Sequence, residues 1–422
     1  MKSNTANLPI TVRQENFGAI LYDPAEGTLL ELDREGAETI TAFFRGHRLK
    51  PEDTREKAFL SEVKKEILYS RKRNIRYIQA LEPDKHAYPF QVLSAPTLAD
   101  FQITNRCYMN CAHCYAASSP DGNHTSLEDI NLVLSRIKEY GVCQVALGGG
   151  EPLLHPHIHE VLRLSHSNGI VPNLSTSGMH LSLKTLRMLK KYCGAVAISM
   201  ENIGTRLAMW RKTGFENIRQ ALFALKTFSI PTVIQITLST DNFCDLDAIT
   251  DFCLEQKQLY GVIFLAYKPV GRGTAFSQPL SVLDARAVSE KLQAMFLKLS
   301  RRTRVGYDCC LAPAIAAPDR KTGFVQASHL EGCSALRGSM GISPELDVIP
   351  CTFLPHQVIG NLRQNSLKDI WYGSRAIAFR NAMLNQINHK EPCSACNIRN
   401  ACLGGCQAMN LVNCSSKSLK SN

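Results

Sequence analysis

No stretch of this 422-residue chain approaches the roughly 18 consecutive apolar residues that a membrane-spanning helix needs. Its opening residues, Met1-Lys-Ser-Asn-Thr-Ala-Asn7, lead into no apolar segment of the kind a secretory signal requires. The expectation is a cytoplasmic protein without a membrane partner. Aromatic side chains are scarce, 7% of residues with only 2 tryptophans, and no recognisable nucleic-acid-binding motif is present, so no nucleic-acid partner is expected. Acidic residues also fall short, 37 against 48 Lys+Arg, for a net charge of +11. Residues 1–90 are nearly balanced, and the remaining chain carries about +10. Such an excess is either solvated surface or an attraction for an anionic partner. With 45% hydrophobic and 20% charged residues, the composition is that of an ordinary globular protein of two or three domains.

Cysteine is plentiful. Sixteen in a cytosolic chain point to metal thiolates, because cytosolic thiols are kept reduced. The run Cys107-Tyr-Met-Asn-Cys111-Ala-His-Cys114 has C-x3-C-x2-C spacing, and Gly148-Gly-Gly-Glu-Pro152 follows it. Three thiolates hold three irons of a four-iron cluster and leave one open to a small ligand; a zinc site or core thiols are the alternatives from spacing alone. The spacing, the aromatic His113 before the third cysteine and the glycine loop resemble the radical S-adenosylmethionine (SAM) superfamily. The resemblance implies that the open iron chelates SAM and that an electron cleaves it to a 5'-deoxyadenosyl radical, the protein supplying binding and orientation. It also implies SAM contacts from Gly149, Gly150 and Glu151: glycines admit close backbone approach, and a carboxylate accepts from an ammonium.

Along the chain, Phe17–Tyr22 and Thr28–Leu32 read as a hairpin around the turn formers Asp23-Pro-Ala-Glu-Gly27. Asp33 is placed to cap a helix through Phe44, with Ala37, Ile40, Phe43 and Phe44 on its apolar face. A second, highly charged helix is expected from Thr54 to about Tyr77, its basic end carrying Arg71, Lys72, Arg73 and Arg76. Hairpin plus helix resembles the winged-helix-like element that binds the leader of ribosomally made precursor peptides, which adds a strand to the sheet edge.

From Ala95 to about Ser300 strand and helix patterns alternate in six βα units, which places chemistry at strand C-terminal ends. The superfamily resemblance makes this a partial (β/α)6 barrel. Ser175, Thr176 and Ser177 follow its third strand, Ser199 ends the fourth and Glu201 follows it, and Asn242 lies beyond the fifth. Family members often use a polar residue after the fourth strand for the SAM carboxylate or ribose, which matches Ser199; Ser175 is a second candidate. Arg272 is a candidate for meeting a carboxylate, a substrate group or a structural partner. Cys143, Cys193, Cys244 and Cys253 fall within expected strands or helices and read as core residues.

The C-terminal run Cys393-x2-Cys396-x5-Cys402-x3-Cys406, with Cys414 beyond it and Cys309-Cys310, Cys333 and Cys351 upstream, resembles the SPASM extension of radical SAM peptide maturases. Gly360-Asn-Leu362 and Asp369-Ile-Trp-Tyr372 match that extension's spacer. The resemblance implies two auxiliary 4Fe-4S clusters: Cys309 or Cys310 with Cys333, Cys351 and Cys406, and Cys393 with Cys396, Cys402 and Cys414. Zinc is the alternative for C-x2-C pairs.

The expected architecture is therefore α/β: a winged-helix-like domain over 1–85, a radical SAM core over 90–305 and a SPASM domain over 306–422, with three 4Fe-4S clusters. The implied activity is crosslinking of a precursor peptide, by carbon-carbon or thioether bonds, with a reductant such as flavodoxin or ferredoxin. Two rivals stand beside it: a radical SAM enzyme on a small acidic substrate such as a haem-pathway tetrapyrrole, and a non-catalytic iron-sulfur or peptide-binding carrier.

Overall fold

The hairpin expected at the N-terminus is the centre of a wider sheet. Strands β1 (Ile10–Glu15), β2 (Gly18–Asp23), β3 (Thr28–Asp33) and β4 (Ile75–Ile78) lie in the order β3-β2-β1-β4. The computed structural model describes residues 4–46, 54–67, 74–79, 88–315, 330–391 and 393–409. β2 and β3 pair antiparallel, and Asp33 caps the following helix, Arg34–Phe44, by accepting from Gly36 N at 2.8 Å. The second helix stops at Glu66, and Ile75–Ile78 is a strand parallel to β1, so Arg76 is not at a helix end; Arg71, Lys72 and Arg73 lie outside the described residues. The physical reason is an open edge. β1 exposes backbone groups that Ile75-Arg-Tyr-Ile78, rich in β-formers, satisfies better than a further helical turn would. β2 is thus flanked on both sides, and among the described residues β3 carries the open edge at the hairpin's end of the sheet. Leu21, Leu32, Ile40, Leu60 and Val63 form this sheet's own core.

The larger sheet holds the six expected parallel strands: β5 (Leu98–Thr104), β6 (Gln144–Gly149), β7 (Val171–Thr176), β8 (Val196–Ser199), β9 (Thr232–Leu238) and β10 (Gly261–Ala266). A short seventh, β11 (Arg304–Tyr307), pairs parallel to β10 and extends them. At the other edge β5 pairs with β12 (Ser339–Ile342), which continues antiparallel into β13 (Asp347–Ile349) and β14 (Gly360–Asn361). The C-terminal region is therefore hydrogen-bonded to the barrel sheet and covers the edge of β5.

Buried polar contacts tie the three regions together. Arg13, 1% exposed, donates to Glu15 Oε1 (2.7 Å), Ala95 O (2.6 Å) and Pro96 O (3.0 Å), while Glu15 Oε2 accepts from Ser94 N at 2.7 Å. Tyr260 donates its phenol to Glu26 O at 2.9 Å. Residues 94–96 precede β5 and Tyr260 precedes β10, so the small sheet docks at the starts of the barrel strands. In the C-terminal region Trp371, fully buried, donates to Leu93 O at 2.9 Å and lies 4.9 Å from the guanidinium of buried Arg380.

Among the described residues no helix is long and apolar enough to cross a membrane. Cys143, Cys193 and Cys253 are buried, as core residues should be; Cys244 is exposed because it caps the short helix Thr240–Phe243. Trp371→Ala removes a packed indole, a hydrogen bond and a cation–π partner together. We expect a loss of about 3–5 kcal/mol, read as a lower urea midpoint.

Candidate functional site

The cysteine loop and the glycine loop leave neighbouring parallel strands and touch through their backbones. Gly150 N donates to Thr104 O at 2.7 Å and Glu151 N to Arg106 O at 2.9 Å. A Cβ on Gly150 would collide with the Arg106 carbonyl oxygen, and one on Gly149, held at φ +106°, with that of Thr104. Glycine is required at both positions for this approach. Arg272 braces the cysteine loop from β10's side: its side chain donates to Cys111 O (3.1 Å) and Ser118 O (2.6 Å), and its N–H to Cys114 O (3.0 Å). Its partners are thus carbonyls of the loop itself.

Between these loops and the strand ends lies a cavity of about 420 Å³. Cys107, Cys111 and Cys114 line one end, with Gly149, Gly150, Glu151, Ser175 and Ser199 beside them. The Glu151 carboxylate is 2% exposed and already accepts four hydrogen bonds, from Leu153 N (3.1 Å), Thr176 Oγ1 (2.6 Å), Ser177 N (2.8 Å) and Ser177 Oγ (2.6 Å). It ties β6's loop to the end of β7. Ser175 Oγ donates weakly to Gln235 Oε1 at 3.4 Å. Asn242 does not line the cavity; its amide donates to Glu201 O (2.7 Å) and Thr237 O (2.8 Å).

Arg211, which sequence reasoning missed, is buried in the cavity wall beside the cysteines. Its guanidinium grips Glu201 with two nitrogens, Nε donating to Oε2 at 2.7 Å and Nη2 to Oε1. His113 Nε2 lies 3.2 Å from Glu201 Oε1, and the imidazole packs edge-on to Trp210 at 5.1 Å. Burial alone would raise the Glu201 carboxyl, but Arg211 and His113 outweigh it and hold it down at about 2. Burial raises Cys107 and lifts Cys111 to about 12, while Arg211 opposes both shifts. Thiols this buried deprotonate when a metal takes the thiolate. Met109 N donates to Cys107 Sγ at 3.5 Å. Three converging thiols, a cationic neighbour and a backbone donor to sulfur suit an iron-sulfur cluster with one open iron.

The other end of the cavity is lined by Asp100, Tyr115, Lys268, Thr352 and Phe353. Lys268 is buried and pairs with Asp308 at 2.7 Å; its ammonium sits 4.1 Å from the Phe353 ring centroid. Asp100 accepts from Thr352 Oγ1 at 3.2 Å, and burial raises its carboxyl to about 6. Behind this wall five thiols gather. Cys309 lies beside Cys310 and Cys333, Cys310 lies beside Cys406, and buried Cys351 feels the field of Cys309. The sequence left Cys309 and Cys310 as alternatives. The 3-10 turn Cys309–Leu311 sends one thiol towards Cys333 and the next towards Cys406, so both reach the group. The Lys268 cation favours the thiolate at Cys309, Cys351 and Cys406.

Cys393 and Cys402 lie in two successive turns, Cys393–Ala395 and Arg399–Cys402, with Cys396 between them; Cys414 lies outside the described residues. The two cysteine sets are stitched together where Gly332 N donates to Ala401 O at 2.8 Å. A Cβ on Gly332 would strike the Cys402 carbonyl. These all-thiol donor sets fit iron-sulfur ligation.

Residues 101–253 match the family model of the radical SAM superfamily, and residues 333–397 that of SPASM, an iron-sulfur cluster-binding domain. The chain is 25% identical over 340 residues to a PqqA peptide cyclase of Ruegeria pomeroyi, covering 77% of this chain and 86% of that protein. It is 26% identical over 334 residues to an AdoMet-dependent heme synthase of Methanosarcina barkeri, covering 75% and 92%. Among solved structures, Streptococcus suis SuiB bound to its precursor peptide SuiA superposes with a TM-score of 0.72 at 19% identity, over 98% of this chain and 100% of that one.

The Glu201 carboxyl is depressed in the folded chain, so its pairing stabilises the fold above the ordinary carboxylate value of about 4.3 and is lost as pH falls from there towards 2. Glu201→Gln removes that part of the acid limb of the stability profile. Arg211→Ala leaves a buried carboxylate without its cation and is expected to cost about 3 kcal/mol or more by denaturant titration at pH 7.

Proposed function

The chain belongs to the radical SAM superfamily and carries a SPASM domain, and from that premise we propose that it is a maturase that crosslinks a ribosomally made precursor peptide. The single observation that carries this reading is a cavity lined at one end by Cys107, Cys111 and Cys114 and walled at the other by residues in front of the five-thiol group. When bound, SAM and a reduced cluster would supply a 5'-deoxyadenosyl radical, able to remove hydrogen from an unactivated carbon. The chain's own residues would do the rest. Cys107, Cys111 and Cys114 would hold the cluster, and the Gly149–Glu151 backbone, Ser175, Ser199 and Arg211 would seat SAM. Cys333, Cys351 and Cys406 with Cys309 or Cys310 would hold one auxiliary cluster, and Cys393, Cys396, Cys402 and Cys414 the other. Thr352 and Asp100 would orient the reacting residue at the auxiliary end.

The peptide reading draws on the cyclase and SuiB likenesses and on the N-terminal sheet, whose β3 offers an open edge with Leu29 38% exposed. A leader paired there lies at the starts of the barrel strands, so the linking peptide spans at least about 20 Å, or some six extended residues, to reach the cavity. The haem synthase likeness and the basic surplus favour the small acidic substrate, but that reading leaves the N-terminal sheet idle. Electrons would come from a one-electron carrier such as flavodoxin or ferredoxin.

Reconstituted protein is expected to bind about 12 irons, and Cys107→Ala/Cys111→Ala/Cys114→Ala to lose about a third of them with all 5'-deoxyadenosine formation. SAM cleavage that survives the triple substitution would sink the assignment. Proline at Leu29 or Leu30 should weaken binding of a labelled precursor leader by fluorescence anisotropy more than alanine does, because one of the two points its N–H to the open edge. Unchanged affinity would remove the sheet from peptide recognition.

A further inference from the structure

Each cleavage of SAM consumes an electron that must reach Cys107–Cys114 from outside, and the surface nearest these cysteines has a distinctive make-up. Three stretches meet there: 105–112, 178–184 and 204–214. Lys212 N donates to Met109 O at 3.4 Å, Ala112 N to Trp210 O at 3.0 Å, and Thr213 Oγ1 lies 3.1 Å from the Met179 sulfur. On these three stretches Tyr108 is 50%, Met179 42%, Leu183 64% and Met209 63% exposed, in a chain whose large apolar side chains are mostly inside. None of the three stretches contains a carboxylate, whereas they carry Arg106, exposed Lys184 and exposed Lys212, and an Arg206 that is paired with Asp245 from a neighbouring segment. The path inward is short: Lys212's backbone bonds Met109, whose own N–H bonds Cys107 Sγ.

We propose that the Tyr108–Met179–Met209 patch, rimmed by Lys184 and Lys212, is the docking surface for an acidic one-electron carrier protein. The proposal rests on the radical reading above. A small apolar centre within a basic rim suits a transient electron-transfer encounter, in which charge steers association and little area is buried. The carrier gives up one electron and is oxidised by one; the cysteine-bound site takes it up.

The test uses the whole reconstituted protein, a reduced bacterial flavodoxin as the probe carrier and dithionite as a small reductant that needs no docking. Lys184→Glu/Lys212→Glu and, separately, Met209→Asp should weaken flavodoxin binding by about tenfold in titration calorimetry, with the double variant losing its salt dependence. Both should slow flavodoxin-driven 5'-deoxyadenosine formation similarly while leaving the dithionite-driven rate unchanged. Arg286→Glu, on the helix Ala285–Leu299, should change neither. Flavodoxin affinity and rate equal to those of the unsubstituted protein would overturn the proposal, as would equal losses with both reductants, which would mean that these residues act on the site itself. Absence of dithionite-driven cleavage in the unsubstituted protein would overturn the radical reading instead, and the surface with it.

Discussion

The contact on which the site depends is backbone against backbone. Gly149–Glu151 presses onto Thr104–Arg106 through two hydrogen bonds, at a distance that excludes a Cβ at either glycine. That approach fixes the cysteine loop after β5 relative to the loop after β6. The Glu151 carboxylate then carries the constraint to β7 by accepting from Thr176 and Ser177. Three strand ends become one rigid rim, as a site built on a parallel sheet requires.

Charge inside the rim is matched locally. Glu201 is neutralised by Arg211, with His113 3.2 Å away, Lys268 is neutralised by Asp308, and Glu151 is satisfied by neutral donors. Asp100 differs: it faces the cavity with only the Thr352 hydroxyl bonded to it among the described residues. Because β12 joins the edge of β5, Thr352 and the thiols behind it are positioned by the same sheet that positions Cys107. The link between the two ends of the cavity is therefore continuous secondary structure and not a flexible interface.

What could be read from sequence was local. The hairpin, the Asp33 cap, six barrel strands and the cysteine spacings each depend on residues a few positions apart. β4 escaped because Ile75–Ile78 follows a basic run that favours a helix end, and it becomes a strand only because β1 offers it an edge. β11 escaped for the same reason, four residues with a partner in β10. Arg211 carried no signal, since nothing in Trp210-Arg-Lys-Thr213 tells that its guanidinium turns inward to Glu201. The choice between Cys309 and Cys310 could not be made from sequence because the two are adjacent in one 3-10 turn whose neighbouring side chains meet different partners. The open β3 edge was legible only in part: the hairpin was expected, but which of its strands stayed open depended on β1.

The most direct test of the account is mass spectrometry of a candidate precursor peptide after anaerobic turnover with SAM and a reductant. A crosslink predicts a peptide lighter by two hydrogen atoms, formed together with 5'-deoxyadenosine and abolished when Cys107 is replaced by alanine. A peptide of unchanged mass, while 5'-deoxyadenosine accumulates and an acidic tetrapyrrole is consumed in its place, would contradict it.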